Sequence, residues 1–193
     1  MHTLVFATNN KNKVKEIRAM LGDAFNIITL EEAGIDIDIP EPHHTLEENA
    51  SEKSRTIFNM TGQDCFGEDT GLEVKALNGA PGVFSARYAG EQKSSADNIQ
   101  KVLQEMQGQA NRQAQFRTVI SLVWKGKEYQ FEGVCPGTIL PEAQGGEGFG
   151  YDPIFQPAGA DRSFATMAMA EKNQYSHRAK ATKKLIDWLQ ANA

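Results

Sequence analysis

The chain opens with an apolar run, Thr3-Leu4-Val5-Phe6-Ala7, that leads straight into the polar stretch Thr8-Asn9-Asn10-Lys11-Asn12-Lys13. Beyond it, Val14, Ile17, Met20 and Leu21 recur at helical spacing until Gly22. A buried strand that passes through a polar loop directly into an amphipathic helix is the opening unit of an α/β protein. This junction limits the architectures open to the rest of the chain.

Later segments fit such a frame. Thr45 and Glu48 have capping-box spacing, which predicts a second helix from Thr45. Its apolar side carries Leu46, Ala50, Ile57 and Phe58, and Glu47, Glu48, Asn49 and Lys53 lie elsewhere around it. A third helix is expected over about 96–107, where Ile99, Val102, Leu103 and Met106 follow a helical stripe. A last helix is expected over about 177–191, with Ala181, Leu185, Trp188 and Leu189 inward. Strands are expected at 3–7, 64–67, 116–124 and 129–135. The last two flank Lys125-Gly126-Lys127, a tight-turn signal, and should pair as an antiparallel hairpin. A parallel start with a hairpin in the middle implies a mixed sheet. No repeat, linker or low-complexity segment divides residues 1–193, which read as one domain.

Composition narrows the function classes. Apolar residues make up 40% and charged residues 23%, the balance of a soluble globular chain. The formal charge of -5 gives no global case for nucleic acid binding, so affinity for a polyphosphate must come from local clusters such as Lys11, Lys13 and Lys15. Cys65 and Cys135 stand alone in apolar segments without metal spacing, and read as buried, reduced thiols of a cytoplasmic protein. The run at 4–7 is too short for a signal peptide or a membrane span.

Three groups of residues carry chemistry. Thr8, Asn10 and Lys13 lie where a strand exit meets a helix start, and free N–H groups there favour an anion. The same side chains serve equally well as helix caps. Glu68 and Asp69, within Gly67-Glu68-Asp69-Thr70-Gly71, are expected at a strand end; adjacent carboxylates repel unless a cation intervenes, and magnesium suits hard oxygen ligands and substrate phosphates. A solvated acidic turn is the competing reading. Upstream, Glu41, Glu47 and Glu48 surround the second helix start. The capping role of Glu48 leaves Glu41 the better metal candidate, and Lys53 either reaches a phosphate or forms a surface ion pair. His43 and His44 read as loop residues. The third group joins GEGFGYDP at 146–153 to EKNQYSHR at 171–178. There Phe149 can stack on a base, Asp152 can accept from a ring N–H or hydroxyl, and Lys172, His177 and Arg178 offer donors to a 6-oxo purine. A glycine-rich turn around a core phenylalanine, with Ser176 as a helix cap, is the bland alternative.

At these residues the chain resembles the inosine triphosphate pyrophosphatase family. The resemblance runs nearly end to end: TNNKNK at 8–13, ENA at 48–50, GEDTGL at 67–72, GAPGVFSARYAG at 79–90, GFGYDP at 148–153 and EKNQYSHRAKA at 171–181. It implies an elongated α/β fold, with a mixed β-sheet, flanking helices and two lobes around a central cleft, assembled as a homodimer. It also implies Mg²⁺-dependent hydrolysis of ITP, dITP or XTP to the monophosphate and pyrophosphate, with no nucleic acid or membrane partner. Phosphate binding falls to the loop Thr8, Asn9, Asn10, Lys11, Asn12 and Lys13, with Lys53. Asp69 becomes the catalytic acceptor and a metal ligand with Glu68 or Glu41, and Thr70 touches substrate. Phe149, Gly150, Tyr151 and Asp152 form a wall of the base pocket, and Lys172, His177 and Arg178 recognise the base. Two departures stand out: IPEPHHTLEENA lacks the paired acids and glycine of many relatives, and Glu68-Asp69 replaces the double aspartate common in bacterial members. A related pyrophosphatase with another base preference, or a nucleotide-binding module without chemistry, are the competing assignments.

Overall fold

The computed structural model describes residues 2–22 and 25–192. Its elements in chain order are β1 (Thr3–Phe6), α1 (Lys11–Leu21), β2 (Asn26–Thr29), α2 (Leu46–Thr61), β3 (Cys65–Val74), α3 (Ser95–Glu105), β4 (Gln113–Trp124), β5 (Lys127–Ile139), β6 (Phe155–Pro157), α4 (Met169–Tyr175) and α5 (His177–Asn192). The strands hydrogen-bond in the order β2-β1-β3-β4-β5-β6. β1 runs parallel to both β2 and β3, and β6 runs antiparallel to β5. Lys125 and Gly126 both have positive φ between β4 and β5, the geometry of a two-residue hairpin. The sheet is therefore mixed, as the sequence implied.

Contacts divide the chain into two compact units. The first comprises Met1–Asp69, Thr118–Gly133 and Arg178–Ala193, and the second Thr70–Arg117 and Val134–His177. In the first unit β1 is buried on both faces, which is why it reads as an unbroken apolar run rather than an alternation. Leu4 and Phe6 join α1 residues Val14, Ile17 and Leu21 and α5 residues Ala181, Leu185 and Leu189 in one core. Val5 and Ala7 face the other way, onto Ile57 of α2, Leu30 and Cys65. In the second unit, Leu72, Val74, Phe116, Ile139 and Phe155 pack against Val102 on the inner side of α3, against its C-cap Met106, and against Phe164.

Two expectations require correction. The acidic pair is not at a strand end: β3 continues through Glu68, Asp69 and Thr70 to Val74. The flanking glycines, which look like turn residues, are places where backbone approaches closely. A Cβ on Gly67 would lie 2.6 Å from Lys53 Cβ and 2.9 Å from the Ala50 carbonyl, and one on Gly71 would lie 2.6 Å from the Gly82 carbonyl. Second, Lys53 is not on the solvated side of α2. It shares the buried side with Leu46, Asn49, Ala50, Ser54 and Ile57. The predicted cap holds: the Thr45 hydroxyl oxygen accepts from the Glu48 N–H at 3.2 Å and donates to the Glu48 carboxylate at 2.8 Å.

Gly67 thus sets how near α2 lies to β3. The Gly67→Ala variant should lose about 2 kcal/mol of stability through overpacking, read as a lowered urea midpoint in chemical denaturation with an unchanged m-value.

Candidate functional site

In the first unit, the polar loop after β1 is largely occupied with its own geometry. Asn10 is the N-cap of α1, and its side-chain oxygen accepts from the N–H groups of Asn12 and Lys13 at 3.0 and 3.3 Å. Thr8 Oγ1 accepts from the Asn10 N–H at 3.1 Å. The Asn9 amide donates to the Ile37 carbonyl at 3.0 Å, pinning the extended segment that leads to Glu41. Lys11 and Asn12 are exposed. Lys13 alone of the loop reaches a buried charge, pairing with Glu68 Oε1 at 3.0 Å.

That charge belongs to a network the sequence did not reveal. Arg178, 2% exposed, donates from Nε to Glu68 Oε2 at 2.8 Å and from Nη2 to Oε1 at 2.9 Å, and also pairs with Glu16. Burial alone would raise the Glu68 carboxyl pKa; Arg178 and then Lys13 outweigh it and hold the group well below the usual carboxylate range. Burial likewise opposes the Arg178 charge, but Glu68 and Glu16 over-compensate and keep it firmly protonated. The family resemblance gives Arg178 to base recognition with Lys172 and His177; in the structure it pairs with Glu16 and Glu68 of the first unit. Glu16 escaped notice, although a carboxylate between Val14 and Ile17 on the buried side of α1 was the available signal.

Next along β3, Asp69 is 5% exposed. Lys53 Nζ donates to its Oδ1 at 3.2 Å and to the Glu68 carbonyl at 3.0 Å, and pairs with Glu41 Oε1 at 2.5 Å. Asp69 Oδ2 is buried without a hydrogen-bond partner. Burial raises the Asp69 pKa; Lys53 and Lys13 pull it down and Glu41 pushes it up again, leaving it raised. For Lys53, burial acts to lower the pKa, but Asp69 and Glu41 prevail and raise it. Glu48 is held by its cap, and His43 pairs with Glu52 at 3.1 Å. Among the described residues no group of three or more His, Cys, Asp or Glu gathers as a ready metal cage.

The second unit holds the other predicted residues. Asp152 Oδ2 accepts from the Phe149 N–H at 3.0 Å and from Lys172 Nζ at 2.7 Å, with both side chains buried. The Lys172 ammonium also lies 5.0 Å from the Phe149 ring centroid and 5.4 Å from that of Phe164. Asp152 therefore faces a lysine of its own chain, which positions that lysine. Gly148 makes room for it, since a Cβ there would lie 2.1 Å from Asp152 Oδ2. His177 stacks on Phe116, centroids 4.6 Å apart and planes at 16°. The Tyr151 hydroxyl donates to the Ser85 carbonyl at 2.6 Å. Ser85 in turn accepts from the Leu72 N–H, and Asn98 donates to the Ser85 and Ala86 carbonyls, so both residues brace this wall. Gly150 has a φ of 60°, and Thr70 is partly buried on β3. A separate groove of about 890 Å³, lined by Glu73, Lys75, Gln113, Gln115 and Gln156 among others, contains none of the predicted residues.

Comparison with known proteins shows the family of the chain. The Ham1 family model matches residues 4–188. A protein of Flavobacterium psychrophilum named dITP/XTP pyrophosphatase is 51% identical over 185 residues, spanning 96% of this chain and 97% of its own. One of the same name from Flavobacterium johnsoniae is 50% identical over 188 residues, spanning 97% and 98%. Among solved structures, the Ham1 protein of Staphylococcus aureus matches with a TM-score of 0.90 at 37% identity, covering 99% of this chain and 100% of that one. A HAM1 protein from Coxiella burnetii matches with a TM-score of 0.91 at 38% identity and the same coverage.

The Asp152–Lys172 pair should behave as a buried ion pair. Removing one partner, in Asp152→Asn or Lys172→Met, should cost about 3 kcal/mol, because a buried charge loses its counter-ion. The double variant should recover part of that loss. A double-mutant cycle by chemical denaturation measures the coupling, and strictly additive single effects would contradict it.

Proposed function

Because this chain belongs to the Ham1 family, we propose that it hydrolyses non-standard purine nucleoside triphosphates (dITP, ITP and XTP) to the monophosphate and pyrophosphate, removing them from the nucleotide pool. The observation that carries this reading is Asp69: a buried carboxylate held on one oxygen by Lys53, with the other oxygen unpartnered. Such an atom costs about 1–3 kcal/mol while unmet. It is what a site presents when a cation or a water proton completes it.

We assign the cation as Mg²⁺, with Asp69 and Glu41 as its protein ligands. Two carboxylates suit this ion, which keeps several waters and takes its remaining ligands from substrate phosphates. When bound, it supplies neutralisation of the phosphate charge. Glu68, engaged by Arg178 and Lys13, is better read as a counter-ion than as a ligand.

The residues of the chain then divide the work. Asp69 accepts the proton of the water that attacks the α-phosphorus. The P–O bond to pyrophosphate breaks, and Lys13 and Lys53 stabilise charge on the leaving group. Thr8 and Asn10 hold the loop and the start of α1 in the conformation that presents Lys13. Thr70 borders the substrate. On the base side, Phe149 offers a face for stacking, Gly150 and Tyr151 complete the wall, and His177 lies on Phe116. Lys172, steadied by Asp152, offers protons to the 6-oxo oxygen. Adenine presents an amino group there, so donor meets donor, and sites built this way discriminate by a factor on the order of 10⁴. Rejection of GTP rests on the 2-position.

We carry three further readings on the family resemblance: homodimeric assembly, a cytoplasmic setting and no nucleic acid partner. Among the described residues no helix is long and apolar enough to cross a membrane.

With dITP and Mg²⁺, Asp69→Asn should slow pyrophosphate release by roughly 10³-fold while nucleotide binding, followed by calorimetry, persists. Chelation of divalent cations should stop turnover in the wild-type protein. Release of inorganic phosphate and a diphosphate instead would point to a phosphatase, and no turnover at all to a binding module.

A further inference from the structure

Glu68 is a tightly held charged group of the first unit. Its side chain has no exposed surface, and each of its oxygens accepts from Arg178. Arg178 is itself anchored a second time by Glu16. This two-ended hold fixes the Glu68 carboxylate in space. Lys13, by contrast, approaches Oε1 at 3.0 Å from the first turn of α1, keeps 15% of its side chain exposed, and sits on a flexible four-carbon stem. Of Arg178 and Lys13, the lysine is the one that can move. These four groups also balance: Lys13 and Arg178 offset Glu16 and Glu68, so the pairing leaves little net charge to draw an incoming anion. A polyphosphate that engages Lys13 must take it from Glu68 or share it.

We propose that Glu68 is an internal competitor for the phosphate subsite: a fixed carboxylate that occupies Lys13 when no polyphosphate is bound and thereby limits how tightly pyrophosphate is retained. This rests on the reading above, in which Lys13 meets the phosphates. It gives the glutamate at 68 a physical reason. Both of its oxygens can stay on Arg178 while one still reaches Lys13, whereas an aspartate held by the same arginine ends one methylene short. Glu68 thus acts on the reaction through Lys13, as a positioning residue, and is distinct from the cation ligands Asp69 and Glu41.

The test is calorimetric binding of inorganic pyrophosphate, with a chelator present so that no divalent cation contributes. Glu68→Gln should bind pyrophosphate about tenfold more tightly than wild type, equivalent to ~1.4 kcal/mol. The gain should vanish in the Lys13→Met background, a dependence that a merely structural role for Glu68 does not produce. Unchanged or weaker binding in Glu68→Gln, or an equal gain without Lys13, would overturn the proposal. If loss of that charge prevents folding, Glu68→Asp keeps the counter-ion of Arg178 and should tighten binding by about threefold; no gain there is equally fatal. Pyrophosphate release from dITP by the wild-type protein separates the two levels. An inactive wild type sinks the enzymatic reading, whereas an active wild type whose Glu68 variants bind pyrophosphate no better sinks only this inference.

Discussion

Arg178, buried against Glu16 and Glu68, is the interaction on which the first unit depends. Taking a guanidinium out of water costs several kcal/mol, and only well-placed carboxylates return it. Because those carboxylates come from α1 and β3 and the arginine from α5, satisfying one charge fixes three elements together. Apolar residues of equal volume often pack as stably as such a cluster. What they do not supply is an anion at a set place, and Lys13 finds its partner on that anion.

A second constraint recurs in both units: a glycine admits a buried ion pair. Gly67 lets α2 come close enough to β3 for Lys53 to reach the Asp69 carboxylate. Gly148 leaves the space that Asp152 needs to receive Lys172. At Gly67 the missing side chain is the requirement, whereas Gly148 also needs the positive φ of 72° that glycine adopts freely. The two pairs differ in one respect. Asp152 is met on the same oxygen by a backbone N–H and a lysine, whereas Asp69 keeps one buried oxygen open. In the proposed function, that difference separates the carboxylate assigned to chemistry from the one that orients a lysine.

Much of the fold was legible because it is written in local patterns. The capping pair Thr45 and Glu48, the stripe of α3 and the Lys125-Gly126 hairpin turn all stand where periodicity and turn chemistry put them. The failures share a cause. The strand expected at 64–67 runs on through Glu68, Asp69 and Gly71 to Val74, since glycine at a close approach and glycine in a turn look alike in one dimension. Ile35, Ile37 and Ile39, on which no expectation was placed, pack on a core outside the strands of the sheet. The short β2 and β6 and the seven-residue α4 offer too little periodicity to stand out.

For the site, sequence alone singled out the residue types to which the proposal assigns chemistry and the segments in which they stand: Lys13 after the first strand, Asp69 among glycines, Phe149 to Asp152, and the run from Lys172 to Arg178. Composition and spacing suffice for that, because the chemistry of a side chain is intrinsic to it. Only tertiary structure decided the partners. Consecutive residues His177 and Arg178 separate, one stacking on Phe116 and the other entering a cluster with Glu16 and Glu68. Lys53, free to be a surface charge by its sequence, became the buried partner of Asp69. Pairing of charges is a long-range matter: it depends on which helix packs on which strand, and on how much water that packing removes.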